Sequence, residues 1–291
     1  MKRWMTGLAA GAAMMIATTA VQAAETLRFA VTDIVGVESL QVEFGAFRDK
    51  LSEVTGYDIE FTPVSSRTAA VEALNAGQVD FVLTGPAEYV VINKLTGAQP
   101  VIAFSRPDYF GGIMVLADSP YQRPADLIGK RVAFGDVGST SSHLAPAQVL
   151  ADYGVTMDEI EVINTSTNIA WEALKNGDVD AIGLNYMKFV KARDGDETVD
   201  PGAFRVIARG PDLPNDLLVA SADLDPAIVE QVRTAIGANS DELVAAILEG
   251  EDNQKYRGMR FLTNVQDSDY NYVRSMYATI GYPEYAEFVG E

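Results

Sequence analysis

The stretch Glu72-Ala-Leu-Asn-Ala-Gly-Gln-Val-Asp80 returns, little altered, as Glu172-Ala-Leu-Lys-Asn-Gly-Asp-Val-Asp180. Each copy has the pattern of a helix end, a glycine that stops the helix, and a strand that begins at Val-Asp. Two copies of one such unit predict two lobes of similar α/β topology. Chance similarity between two helix–glycine–strand joints is the alternative explanation, because short motifs recur by accident.

The residues around the first copy alternate between the two kinds of periodicity. Strand patterns cover 27–31, 57–61 and 80–84, and amphipathic helix patterns cover 39–51 and 69–75. This βαβαβ order is typical of a parallel sheet flanked by helices.

The second copy is set in a similar series of elements. Apolar strand patterns are present at 131–134, 160–163, 181–184 and 204–208, and a strand at 109–117 is predicted to leave the first lobe. Helical patterns at 228–236, 241–248 and 269–280 are expected to pack on the first lobe and complete it. The predicted division is a signal peptide at 1–23, a first lobe at 24–115 and 215–291, and a second lobe at 116–214.

The N-terminus has the features of a leader for export. Lys2 and Arg3 precede an apolar run at 8–21, and small residues follow at the positions that a signal peptidase recognises. These features predict a secretory signal peptide cleaved after Ala23 or Ala24. A membrane anchor is the alternative, but the run is too short to span a bilayer comfortably.

The composition narrows the classes of function. The formal net charge of −19 argues against nucleic acid and anionic membrane surfaces as partners. The sequence has no cysteine, which excludes disulfides, thiolate metal sites and cysteine nucleophiles. We expect no cofactor and no metal.

A run of hydroxyls marks the start of a helix in the second lobe. Ser139-Thr-Ser-Ser142 follows the strand 131–134 and a glycine turn, and precedes a helical pattern at 144–153. Hydroxyls at this position can cap the unpaired N–H groups of the helix, and the same groups suit an anion with several oxygens. Gly85-Pro86 likewise follows a strand end, so both segments should face a cleft between the lobes, where open α/β sheets bind ligands.

Several segments together resemble one known family, the phosphonate/phosphite-binding (PhnD-like) periplasmic substrate-binding proteins of ABC importers. Besides the first Glu-Ala-Leu motif, they are Thr84-Gly-Pro-Ala-Glu-Tyr89, Asp118-Ser119, Pro124-Ala-Asp-Leu-Ile-Gly-Lys130, Gly138-Ser-Thr-Ser-Ser-His-Leu-Ala-Pro146 and Leu213-Pro-Asn-Asp-Leu217. The resemblance implies a type II-like two-lobe fold with a mixed, mostly parallel sheet in each lobe and a ligand cleft between them. It implies a periplasmic, non-enzymatic receptor that is monomeric and delivers its ligand to a membrane permease.

The resemblance also implies which residues bind the ligand. Ser139, Thr140 and Ser141, with Ser142 beside them, would donate hydrogen bonds to the oxygens of a small anion. Tyr89 would close one wall from the first lobe. Asp216 would accept a hydrogen bond from a protonated ligand oxygen, which favours a protonated oxyanion over a fully ionised one.

Two departures from the family pattern affect the ligand. The segment that usually carries a histidine is Thr165-Ser-Thr-Asn168 here, with Thr167 at the nearest position, and Met187 occupies the place of the carboxylate that recognises an amine. These departures argue against 2-aminoethylphosphonate and favour phosphite, phosphate or a smaller phosphonate. Tyr109, at a strand start, is a further candidate for the cleft wall.

Other functions remain open at this point. The same fold could hold a sulfonate, a pyrimidine precursor or an organic acid, or could report a ligand to a signalling partner. A hydrolase that uses Ser139, Ser141 or Ser142 would need a base, and the single histidine, His143, is too near in sequence to be an obvious one. We interpret His143 as a packed side chain.

Overall fold

The computed structural model describes residues 25–32, 34 and 36–289. The predicted signal peptide therefore lies outside the described residues. Within those residues, no helix is both long enough and apolar enough to cross a lipid bilayer.

Eleven strands and nine α-helices make up the regular structure of the described ranges. The strands are β1 Thr26–Val31, β2 Asp58–Phe61, β3 Phe81–Thr84, β4 Gln99–Phe104, β5 Gly111–Leu116, β6 Arg131–Phe134, β7 Glu161–Asn164, β8 Ala181–Asn185, β9 Phe204–Arg209, β10 Asp216–Ala220 and β11 Phe261–Leu262. The helices are α1 Val37–Thr55, α2 Arg67–Asn75, α3 Pro86–Thr96, α4 Ala145–Asp152, α5 Thr167–Asn176, α6 Tyr186–Gly195, α7 Pro226–Ala238, α8 Ser240–Ile247 and α9 Asn271–Thr279.

The strands form two sheets with the same internal order. From the matching edge, the first runs β2-β1-β3-β10-β4-β11 and the second runs β7-β6-β8-β5-β9. The first sheet has one additional strand, β11, at its far edge. In each sheet three strands are parallel, and an antiparallel strand follows them, β10 in the first and β5 in the second. The predicted α/β fold of two lobes with mixed sheets is confirmed.

The antiparallel strand of each sheet lies next to a crossing of the chain between the lobes. We expected β5 to leave the first lobe, with a boundary between residues 115 and 116. It pairs instead with β8 and β9 of the second sheet, for example through Gly112 opposite Leu184 and Ile113 opposite Ala208. A buried apolar strand carries no local signal of its partners, because either lobe could cover both of its faces.

Strand β4 was not predicted from the sequence. It contains Pro100, which cannot donate a ladder hydrogen bond and weakens the pattern of a central strand. The structure accommodates this proline at a register shift between Leu218 and Val219 of the neighbouring β10.

The repeated motif makes the same contacts in both lobes. The backbone N–H of Arg28 donates to Asp80 at 2.8 Å, and that of Arg131 donates to Asp180 at 3.0 Å. Each guanidinium donates to the same aspartate. It also donates to the carbonyl of the glycine that follows the helix before that aspartate, Gly77 after α2 or Gly177 after α5. This repetition of contacts supports the interpretation of the two copies as equivalent units rather than chance matches.

The C-terminal helices divide between two tasks. Helices α7 and α8 pack with α1 on the first sheet, through a cluster that includes Phe47, Ile236 and Leu243. Helix α9 packs on the first lobe as expected, and its Met276 belongs to a cluster that also contains Leu144 of the second lobe. Helix α9 therefore packs against both lobes behind the cleft, because its apolar stripe faces α3 and α4 together.

Candidate functional site

A cavity of about 330 Å³ lies between the two lobes. The carboxyl ends of β1, β3 and β4 open into it from the first lobe. The hydroxyl turn, which we define as residues 139–144 before α4, faces it from the second lobe. Its described lining residues are Val31, Ile34, Phe44, Leu83, Thr84, Gly85, Glu88, Arg106, Tyr109, Asp136, Ser139, Thr140, Ser141, Lys188, Asp216, Asp252, Asn253, Lys255 and Tyr256.

The hydroxyl turn consists of Ser139 and a short π-helical segment, Thr140–Leu144, that leads directly into α4. The side chain of Ser139 makes no capping hydrogen bond, so the simple capping function considered above is not what the structure shows. The first N–H groups of a helix have no carbonyl of their own helix to bond. The hydroxyl residues Ser139, Thr140 and Ser141 at this helix start line the cavity.

Gly135 allows the turn to fold back tightly on its own strand. Its N–H donates to the carbonyl of Ser142 at 2.7 Å, and a Cβ at position 135 would lie only 2.5 Å from the Cβ of Ser142. A side chain here would push the hydroxyl turn away from β6, so the glycine sets the position of the turn relative to the cleft.

A second helix start meets this turn from the first lobe. Helix α3 begins after Gly85, and its Ala87 N–H donates to Thr140 Oγ1 at 3.0 Å in a buried contact. The positive ends of two helix dipoles are thus brought to one place, and such a place favours an anion.

A charged and aromatic group forms the adjoining wall. Arg106 Nη1 lies 3.2 Å from Asp216 Oδ2, and the hydroxyl of Tyr256 donates to the same oxygen at 2.6 Å. The Arg106 guanidinium carbon is 3.9 Å from the centre of the Tyr109 ring. Burial raises the pKa of Tyr109, the Asp216 carboxylate adds to the rise, and the Arg106 guanidinium and Ser141 hydroxyl oppose it.

The other charged side chains that line the cavity include both acidic and basic residues. Carboxylates come from Glu88, Asp136 and Asp252, and ammonium groups from Lys188 and Lys255. Glu88 is buried and folded back on its own helix start, where a Cβ at position 85 would meet its Oε2 at 2.6 Å. Among the residues that the structure describes, no group of acidic or histidine side chains has the arrangement needed to hold a metal ion.

The structure brings five of the predicted site residues together at the cavity wall, namely Ser139, Thr140, Ser141, Tyr109 and Asp216.

The other three predicted site residues lie elsewhere. Ser142 is buried behind the turn, Tyr89 is buried within the first lobe and donates to Asp267 at 2.7 Å, and Thr167 lines a separate, more open groove beside α5. Tyr89 is held there because its hydroxyl and ring both have partners away from the cleft, Asp267 and Tyr270.

His143 is a packed side chain, as its position in the sequence suggested. Its Nδ1 accepts a hydrogen bond from the Gly138 N–H at 3.3 Å, and its ring lies edge-on to Phe134. Burial lowers its pKa below the ordinary value of 6.5. Because Nδ1 already accepts a backbone hydrogen bond, this ring is poorly placed to activate the serines beside it.

Sequence reasoning missed several cavity residues, above all Arg106. The signal existed, because Arg106 follows β4, and β4 ends at the same sheet edge as β3. Since β4 itself was not predicted, no sequence pattern placed Arg106 at the cleft.

A family model described as "ABC transporter, phosphonate, periplasmic substrate-binding protein" matches residues 29–270. The phosphate-import protein PhnD of Mycolicibacterium smegmatis is 27% identical over 241 residues, which are 77% of this chain and 75% of that protein.

Solved structures share the fold. PhnD1 of Prochlorococcus marinus in complex with methylphosphonate superposes with a TM-score of 0.66 at 19% identity, covering 89% of this chain and 99% of that one. The periplasmic aliphatic sulphonate binding protein SsuA of Escherichia coli gives 0.60 at 18% identity, covering 87% and 92%.

Proposed function

Because the chain belongs to the family of periplasmic phosphonate-binding proteins of ABC transporters, we propose that it captures a phosphorus oxyanion in the cleft between its lobes. The ligand class comprises phosphonate, phosphite and phosphate. The contact that carries the proposal is the hydrogen bond from Ala87 N–H to Thr140 Oγ1, which joins two helix starts across the cavity. A tetrahedral anion placed there meets hydroxyls and N–H groups fixed by both lobes.

The ligand oxygens would bond Ser139, Thr140 and Ser141, with Tyr109 and Asp216 in the adjoining wall. Charge-assisted hydrogen bonds to fixed donors hold an oxyanion strongly without a matched point charge. The contributions assigned to Ser142, Tyr89 and Thr167 stay predictions. These three side chains do not line the cavity, so they would act on the ligand through the residues that do.

The wider function follows the family. The chain would be exported to the periplasm by its signal peptide, act as a monomer without catalysis, bind no nucleic acid, and pass the ligand to a membrane permease. Its cycle would be capture in an open cleft, closure about the crossings between the lobes, and docking on the transporter.

A thermal-shift screen of the mature protein tests the ligand class. A ligand that binds only the native state raises the melting temperature by mass action. We expect shifts with phosphite, methylphosphonate or phosphate, and a smaller one with 2-aminoethylphosphonate. Shifts with sulfonates or organic acids alone would overturn the proposal and support a receptor of the same fold for another ligand.

Uptake distinguishes transport from sensing. Cells that lack the protein should lose accumulation of the phosphorus compound that gives the largest thermal shift, and the plasmid-borne gene should restore it. Unchanged uptake combined with a lost transcriptional response would support a sensing function instead.

A further inference from the structure

Asp216 is fully engaged within its own lobe. The residue is 3% exposed, and its carboxylate accepts from Arg106 Nη1 at 3.2 and 3.4 Å and from the Tyr256 hydroxyl at 2.6 Å. Both donors belong to the first lobe, so these bonds do not depend on a ligand or on closure.

These contacts bear on the charge of the ligand. A carboxylate selects a protonated ligand oxygen when its lone pairs face the ligand without an intervening cation, because two anions in contact repel each other. Here a guanidinium, which stays protonated at every accessible pH, compensates the Asp216 charge. Asp216 therefore places no demand of its own for a proton on the ligand. The other charged groups that line the cavity are Glu88, Asp136 and Asp252, offset in part by Lys188 and Lys255.

Arg106 lines the same cavity as the hydroxyl turn. Its guanidinium carbon lies 3.9 Å from the centre of the Tyr109 ring. The Ser141 hydroxyl of the turn opposes the rise in the pKa of Tyr109 through a hydrogen bond. The backbone N–H of Arg106 donates to Asn215 Oδ1 at 3.1 Å, which fixes the start of its side chain. A guanidinium has five N–H donors in a planar fork and can serve a carboxylate and an oxyanion at once.

We propose that Arg106 determines specificity in this cleft by favouring the doubly ionised form of a tetrahedral oxyanion, and that Asp216 is a positioning residue for Arg106. The inference rests on the proposed function and refines it. It departs from the function that the family resemblance implies for Asp216, which would prefer a protonated ligand.

The pH profile of affinity tests this assignment. Calorimetric titration with methylphosphonate is made from about two pH units below to about two pH units above the second pKa of that ligand, which is measured by titration of the free acid. Methanesulfonate, whose charge is constant over this range, corrects for pH effects on the protein. We expect the corrected affinity of the wild type to rise as the ligand loses its second proton and then to level off.

Variants separate binding from folding. Arg106→Gln alone leaves a buried carboxylate without its cation, so the double variant Arg106→Gln/Asp216→Asn is used beside it. We expect it to fold, to bind the dianion about 10- to 100-fold more weakly, on the scale of one charge-assisted hydrogen bond, and to lose the rise with pH. Arg106→Lys should restore part of both. Arg123→Gln, which removes an exposed arginine remote from the cleft, should change neither.

Two results would overturn the inference. One is a corrected affinity that falls about tenfold per pH unit above the second pKa of the ligand, as selection of the monoanion requires. The other is a folded double variant that keeps the wild-type pH profile. If no phosphorus oxyanion binds at any pH, the proposed function fails as well, and that outcome is distinct from tight binding of the monoanion.

Discussion

Replacement of Thr140 by valine should weaken ligand binding by opening the cleft. Valine keeps the shape of threonine and removes the hydroxyl that accepts the Ala87 N–H across the lobes at 3.0 Å. With the lobes in contact through this bond, the arrangement called closed below, Thr140 is 5% exposed, so no water replaces the missing acceptor. In an open form the same N–H is solvated, and the substitution costs little there.

The magnitude follows from the buried N–H left without a partner. An unsatisfied buried donor costs about 1–3 kcal/mol. Because this cost falls on the closed form alone, the closed-to-open ratio should drop by a factor of about 5 to 150. Since the ligand must close the cleft to be held, its affinity falls by the same factor, with any direct hydroxyl–ligand bond adding to the loss.

Two measurements on the same samples check this result. Calorimetry gives the methylphosphonate affinity of wild type, Thr140→Val and the control Thr140→Ser, which keeps the hydroxyl. Small-angle scattering gives the radius of gyration with and without ligand, and the valine variant should stay expanded at ligand concentrations that close the wild type. A valine variant with wild-type affinity, or a serine variant as weak as valine, would refute the reasoning.

Two further predictions concern stability. Gly183→Ala should lower the free energy of unfolding by about 1–3 kcal/mol, because the new Cβ would lie 2.6 Å from the Phe134 ring and 2.7 Å from Pro146. Gly195→Ala, with no atom within 4 Å of the new Cβ, is the matched control in urea unfolding, and equal losses in both would contradict the packing argument. Burial lowers the pKa of His143, so the unfolded state binds its proton first, and stability is lost as pH falls below about 6.5. His143→Asn should flatten this part of the pH dependence, by at most about 1.4 kcal/mol per pH unit, and an unchanged dependence would assign it to other groups.

Much of the fold could be predicted because it is written in local patterns. The repeated Glu-Ala-Leu…Gly…Val-Asp unit predicted two similar lobes, and both copies end in the same arginine–aspartate contact. Most helices and strands followed from apolar periodicity and from glycine stops. The hydroxyl run before α4 pointed to the cavity wall because a strand end and a helix start were both visible beside it.

The errors and omissions share one cause, which is that they concern partners distant in sequence. Strand β5 was placed with the wrong sheet, and the contact of α9 with the second lobe was not predicted, because an apolar segment does not record what covers it. The contribution of Tyr89 to ligand binding stays a prediction, but the Asp267 partner of its hydroxyl, far along the chain, was likewise invisible in the motif.

The sequence by itself determined the class of the molecule: an α/β chain of two related lobes, with a hydroxyl-rich helix start at the cavity wall. Only the tertiary structure decided the composition of the cleft. Arg106 meets Asp216 because β4 and β10 are neighbours in one sheet, and Thr140 meets Ala87 because two helix starts face each other across the lobes. Local periodicity fixes which face of each segment is buried, but charge and hydrogen bonding at the site depend on which distant segments those faces meet.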